Sequence, residues 1–141
     1  VDTTYRKTSA RLAARAKLLV RERLMTNGAE AAKTEFTVYL EGEDSGADLV
    51  SRSVAKGRSH QEFVSRIVGT TRCTGHSECD AILADKATVV ATPALEAAHL
   101  DASLIHEAAI GKIAGEQLMK LRTLGLTEEQ AEEKIIAGFL K

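Results

Sequence analysis

Metal-ligating side chains are concentrated in one stretch of the chain, from Cys73 to Ile113. It holds both cysteines and three of the four histidines. Its carboxylates include Glu78, Asp80, Glu96, Asp101 and Glu107. Thiolates are soft ligands, whereas imidazole and carboxylate suit iron and other harder ions. The mixture predicts a metal site or a reactive cysteine in this part of the chain.

Cys73, His76 and Cys79 follow the spacing C-x2-H-x2-C, which is not a standard zinc motif. On one continuous strand, six residues at about 3.3 Å each would place the sulfurs roughly 20 Å apart. Two ligands of one metal ion must lie much closer together than that. A turn at Thr74-Gly75 would bring them together; without it, both cysteines are interpreted as ordinary core residues.

His106 and Glu107 are adjacent, so on a strand their side chains point to opposite faces. At most one of them would then face a site shared with Cys79. The plainer interpretation is a half-buried histidine beside a surface glutamate.

A cysteine hydrolase is a further alternative, with Cys79 as nucleophile and His76, His99 or His106 as base. No family-specific cysteine-protease signature surrounds either cysteine. The chain also has no phosphate-binding loop of the Walker A or Rossmann type. We therefore expect a protein that is not itself an enzyme and binds no nucleotide.

The composition fits one domain of 141 residues, with 44% hydrophobic and 28% charged residues. The net charge of −1 and 4% aromatic content argue against a nucleic-acid partner. No apolar run approaches the roughly 20 residues that a membrane span needs, so no membrane partner is expected. Two cysteines without a signal peptide favour a reducing, cytoplasmic location.

Short strands with turn signals between them dominate the first hundred residues. From Ser9 to Met25, alternation competes with helical propensity, so this segment could be either strand or helix, and it ends at a turn at Thr26-Asn27-Gly28. The clearer strands are Glu35–Leu40, Leu49–Ala55, Phe63–Val68, Cys79–Leu83 and Thr88–Ala91. We expect Thr92-Pro93 to end the strand pattern. Their spacing predicts a sandwich, a barrel or a β-solenoid, and no strict repeat selects among them.

The pattern becomes helical after Gly111, where the apolar residues Ile113, Leu118, Leu121 and Leu124 share one face. Gly125 followed by Leu126 is typical of a helix C-terminus. Thr127 and Gln130 form a capping-box signature for a second helix, which carries Ala131, Ile135 and Phe139. The chain should therefore end in a helical hairpin.

Several motifs in the same order resemble the C-terminal core of the SufB/SufD family of iron–sulfur cluster assembly proteins. They are S-R-S-V-A-K-G at 51–57, G-H-S-E-C-D-A-I at 75–82, A-S-L-I-H-E-A-A-I-G-K-I at 102–113, G-E-Q-L at 115–118 and L-G-L-T-E-E-Q-A-E-E-K-I-I-A-G-F at 124–139. Together they cover nearly the whole chain, which makes the resemblance specific.

The resemblance implies a mainly β fold, a right-handed parallel β-helix over residues 1–102, followed by a last strand and a C-terminal helical subdomain over 103–141. It implies a scaffold that holds a transient iron–sulfur cluster and pairs with another SufB/SufD-type chain, as a homodimer or heterodimer. The C-terminal helices would dock a SufC-type ABC ATPase. The residues expected at that surface are Leu124, Thr127, Ile135, Ile136 and Phe139. The segment from Ser9 to Met25 should then be strands.

By the same resemblance, Cys79 takes the place of the sulfur-accepting core cysteine of B-type members, and His106 and Glu107 that of iron ligands. Stacking of neighbouring coils at about 4.8 Å should allow Cys79 and Glu107 to meet. Cys73 and His76 are assigned only a weak supporting role. Ile105 departs from the B-type pattern, which has an acid there. The alternative is a D-like interaction subunit that docks the ATPase without holding a cluster.

Overall fold

In a computed structural model, which describes residues 2–141, eight β-strands precede two α-helices. The strands are β1 (Thr3–Leu12), β2 (Lys17–Thr26), β3 (Ala31–Leu40), β4 (Ser45–Ala55), β5 (His60–Gly69), β6 (Cys73–Leu83), β7 (Thr88–Ala97) and β8 (Ala102–Lys112). The helices are α1 (Gly115–Thr123) and α2 (Glu128–Phe139). No helix of residues 2–141 is both long and apolar enough to cross a membrane.

The strands form two parallel sheets that the chain visits alternately. Sheet A has the order β1-β3-β5-β7, and sheet B has the order β2-β4-β6-β8. Thr3 pairs with Ala31, Ala31 with His60, and His60 with Thr88, which gives 28, 29 and 28 residues per turn. The chain is therefore a parallel β-helix of about four turns. This confirms the β-helix and the helical C-terminus that the resemblance implied.

The corners between the sheets repeat with the same period. Gly28, Gly57 and Asp85 have φ of 58°, 66° and 57° at one corner, and Arg15 and Asp44 have φ of 63° and 62° at another. The left-handed backbone reverses the chain sharply, and glycine and aspartate adopt it more readily than most residues. One corner therefore reads Gly, Gly, Asp, which a search for identical residues does not detect.

Side chains alternate between the interior of the β-helix and its outer surface. The inward apolar side chains form one core, which includes Leu12, Phe36, Val38, Leu40, Leu49, Phe63 and Ile67. Phe36 and Phe63, stacked near the centre, have ring centroids 5.9 Å apart. Polar side chains inside the β-helix bond to one another, as when the Ser77 hydroxyl donates to Ser65. The interior is thus apolar with paired hydroxyls.

Two local expectations from the sequence resolve differently. The segment from Ser9 to Met25 forms parts of β1 and β2, since pairing with β3 and β4 outweighs its helical propensity. Pro93 does not end a strand, because β7 continues through it to Ala97. β7 is the edge of sheet A, where a missing N–H disrupts no further ladder.

The helical hairpin has the caps that the sequence predicts. Thr127 Oγ1 accepts the N–H of Gln130 at 3.1 Å, and Gln130 Oε1 accepts the N–H of Thr127 at 2.9 Å. Gly125 has φ of 95° after α1. The end of the chain lies against sheet B, where Arg23 Nε donates to the carbonyl of Leu140 at 2.8 Å.

We predict that Gly42→Ala lowers the free energy of unfolding by at least about 2 kcal/mol. A Cβ at Gly42 would overlap the backbone of Ala13 and Ala14, in the corner of the neighbouring turn. Gly138→Ala, in α2, is the matched control. A Cβ there meets no atom within 4 Å, so alanine should stabilise the helix by about 0.5–1 kcal/mol. Denaturant unfolding followed by circular dichroism measures both, and equal stability of the two variants would contradict the stacked corner.

Candidate functional site

β6 and β8 are neighbours in sheet B and position most of the candidate residues. The register pairs Glu78 with Glu107 and Cys79 with Ala108. Cys79 is buried in the core, whereas Glu107 is exposed. Because adjacent residues on a strand face opposite ways, Cys79 lies inside the β-helix and Glu107 outside. The expectation that they meet is wrong, since their rows are adjacent rather than shared.

The C-x2-H-x2-C motif does not form one site. β6 runs unbroken from Cys73 to Leu83, so Thr74-Gly75 makes no turn. Cys73 and Cys79 both face the interior, about a strand's length apart, and both are free thiols. His76, three residues from each, points outward. The two cysteines therefore cannot share a metal ion with His76.

Cys79 is 1% exposed. Burial, together with the carboxylates of Asp80 and Glu22, raises the pKa of its thiol to about 11. Burial also raises the pKa of Cys73. In this conformation Cys79 is a neutral thiol near neutral pH, which is a weak nucleophile.

His106 faces the interior on the same side of the sheet as Cys79, two residues before its partner Ala108. Its Nδ1 atom is buried and has no hydrogen-bond partner. Desolvation lowers the pKa of His106, with a further contribution from His76. A neutral imidazole with a free ring nitrogen suits metal ligation.

The described residues show no hydrogen bond between Cys79 and a histidine. His99 Nδ1 instead accepts the N–H of Asp101 in the loop before β8, at 3.0 Å. A protonated thiol without a bonded base does not form the nucleophile pair that a cysteine hydrolase needs.

A second group of ligands lies on the outer face of sheet B, where ligand atoms of His76, Glu78 and Glu107 all lie within 4.8 Å of one another. His76 Nδ1 donates to Asp48 Oδ1 at 2.7 Å, and its Nε2 lies 3.7 Å from Glu107 Oε2. The hydrogen bond to Asp48 is the main cause that raises the pKa of His76, and it lowers the pKa of Asp48. We call His76, Glu78 and Glu107 the outer cluster.

Sequence reasoning did not group the outer cluster. It considered His76 with the cysteines and Glu78 only as one of several carboxylates. The missing information was the turn length, since Glu78 and Glu107 are 29 residues apart and pair directly. The 28-residue step from Asp48 to His76 carries the same signal.

The residues predicted to bind an ATPase subunit differ in accessibility. Leu124 is 78% exposed at the end of α1. The side chain of Thr127 is engaged in the helix cap, and Ile136 is buried. Ile135 and Phe139 are half-buried. Of these five side chains, Leu124 is the most accessible to a partner.

Comparison with known proteins gives consistent matches. Residues 2–139 match the family described as SUF system FeS cluster assembly, SufBD core domain. An iron-sulfur cluster assembly SufBD family protein of Methanothermobacter thermautotrophicus is 42% identical over 105 residues, which cover 73% of this chain and 26% of that protein. One of Archaeoglobus fulgidus is 38% identical over 106 residues, 72% of this chain and 28% of that protein. The chain spans about a quarter of the length of these relatives.

We predict that both cysteines of the native protein react slowly with iodoacetamide. At pH 8.5 a thiol of pKa about 11 holds on the order of 100-fold less thiolate than one with the ordinary value near 9. Mass spectrometry of Cys73→Ser and Cys79→Ser isolates each thiol, and the same chains in denaturant are the control. Rapid native labelling of Cys79 near neutral pH would contradict its burial.

We predict that Asp48→Asn moves the pKa of His76 down towards its ordinary value near 6.5. Protonated His76 contributes stability that is fully present below its ordinary pKa and lost as the pH rises through its raised folded pKa. Asp48→Asn should weaken that contribution. An NMR titration of the His76 ring measures the shift, with Glu62→Gln on sheet A as control. An unchanged pKa in Asp48→Asn would exclude Asp48 as its cause.

Proposed function

Because the chain belongs to the SufBD core family of the SUF iron–sulfur cluster assembly system, we propose that it is a scaffold on which iron and sulfur are joined into a nascent cluster. The observation that carries the proposal is the placement of Cys79 and His106 on one interior face of β6 and β8. A thiol and a neutral imidazole with a free nitrogen are a suitable pair of cluster ligands.

Cys79 is the proposed sulfur acceptor. Its thiolate attacks the outer sulfur of a donor persulfide, so that a persulfide forms on Cys79 and the donor leaves as a thiolate. The buried thiol must first become accessible. β8 is the edge strand of sheet B, so its local displacement would uncover Cys79 while the earlier turns stay folded.

His106 and Glu107 are the proposed iron ligands. They serve opposite faces of β8, because adjacent residues alternate. The carboxylate of Glu107, 59% exposed, is placed to take a ferrous ion from solution. His106 is placed to hold iron beside Cys79, and incoming positive charge would favour the thiolate there.

The alternative function is a D-like interaction subunit that docks a SufC-type ATPase and a second SufB/SufD-type chain without holding a cluster. One observation favours it: Cys79 has the burial and the raised pKa of an ordinary core cysteine. In that case the exposed end of α1 and the unpaired strand edges would be the working surfaces.

Anaerobic reconstitution with ferrous iron and sulfide separates the two functions. We predict visible cluster absorption in the wild type and in Cys73→Ser, its loss in Cys79→Ser because the soft ligand is removed, and lower bound iron in Glu107→Ala. Full cluster absorption in Cys79→Ser, together with retained binding to the ATPase subunit, would favour the interaction subunit instead.

A further inference from the structure

Two carboxylates of like charge are stacked on the outer face of sheet B. Glu78 and Glu107 are direct partners on neighbouring parallel strands. Like charges placed opposite each other on a sheet repel and destabilise it. Within residues 2–141, neither Lys nor Arg forms an ion pair with either of them. The nearest cation, Arg21, is engaged by Asp48 at 2.9 Å.

The third member of the outer cluster supplies a nitrogen ligand with a fixed orientation. Asp48 accepts the Nδ1 proton of His76, which leaves Nε2 facing Glu107 at 3.7 Å. A carboxylate behind a histidine in this way is the usual support of a metal-binding imidazole. Asp48 is itself held by Arg21, so the support is fixed at both ends.

From this geometry we propose that His76 Nε2, Glu78 and Glu107 form a divalent-cation site on the outer face of sheet B, with Asp48 as the residue that positions His76. One nitrogen and two carboxylates suit Fe²⁺ or Mn²⁺. Opposite ligands of such an ion lie roughly 4.2 Å apart, twice a metal–ligand bond of about 2.1 Å. The ligand atoms lie within 4.8 Å of one another, so small rotations of the exposed glutamates complete the site.

The outer site differs from the proposed cluster site in its location and in its ligands. Cys79 lies on the other side of the sheet and contributes nothing to it. The outer site rests on the proposed function only for the identity of its ion: if the chain is a cluster scaffold, the cation is ferrous iron awaiting transfer through the edge of β8.

The test is anaerobic titration with Mn²⁺, followed by electron paramagnetic resonance, and repeated with Fe²⁺. We predict one tightly bound ion per chain. Glu78→Gln and Glu107→Gln, which keep the side-chain shape, should each weaken binding by about tenfold or more, and Asp48→Asn by about tenfold. Asp80→Asn is the matched control, because Asp80 is the next outward-facing carboxylate on β6, and it should bind as the wild type does.

A second readout tests His76 directly. Bound Mn²⁺ should broaden the NMR signals of the His76 ring in the wild type and not in Glu78→Gln. Equal weakening in Asp80→Asn would mean general attraction by surface charge, and unchanged binding in Glu78→Gln would remove Glu78 from the site. Either result overturns the proposal.

The outcomes also separate this proposal from the scaffold function. Normal Mn²⁺ binding in Glu78→Gln, with cluster absorption that depends on Cys79, would refute the outer site and leave the scaffold standing. Mn²⁺ binding that requires Glu78, in a chain that assembles no cluster, would establish the site and refute the scaffold. Cys79→Ser should bind Mn²⁺ normally.

Discussion

In-register parallel stacking is the constraint on which the rest of the structure depends. Each turn uses 28 or 29 residues, and each residue is placed directly over its counterpart in the turn before. Hydrogen bonds between turns run along both sheets, so a one-residue slip would move every inward side chain to the surface. The corners fix this length, as in the bond from Gly57 N–H to Asp85 Oδ2 at 2.9 Å. The register therefore decides which side chains can meet.

The same constraint divides the chemistry of β6 and β8 between two environments. Inside, loss of water raises the pKa of Cys79 and lowers that of His106, so both are neutral. Outside, Asp48 raises the pKa of His76, and the carboxylates remain hydrated. Soft, neutral ligands thus lie within the β-helix and hard, charged ligands on its surface, separated by the thickness of one sheet.

Local sequence signals predicted local structure well. The capping box at Thr127 and the strand-ending turn at Gly28 depend on a few neighbouring residues, and both are present in the structure. The motif resemblance supplied the β-helix, which periodicity alone could not, since the corner residues Gly28, Gly57 and Asp85 share a conformation rather than an identity.

The site was harder to predict because it depends on register between turns. A sequence shows that His106 and Glu107 alternate, but not which of them shares a face with Cys79 until the turn length is known. The same uncertainty hid the pairing of Glu78 with Glu107. Pro93 was misinterpreted for a related reason, because its effect depends on whether its strand lies at an edge.

The position of the site within the β-helix follows from its need for access. In the last turn, interior-facing side chains are less covered than their counterparts one turn earlier: Ile110 is 39% exposed, whereas its partner Ala81 is 4% exposed. The last turn has a neighbouring turn on one side within the described residues, so it buries less surface and should open at lower free energy than the middle of the β-helix. A thiol at Ser51, one turn earlier in the row of Cys79, would be enclosed by turns on both sides. At Cys79, a single strand separates the sulfur from the edge, which allows a buried cysteine to exchange sulfur or iron without unfolding the protein.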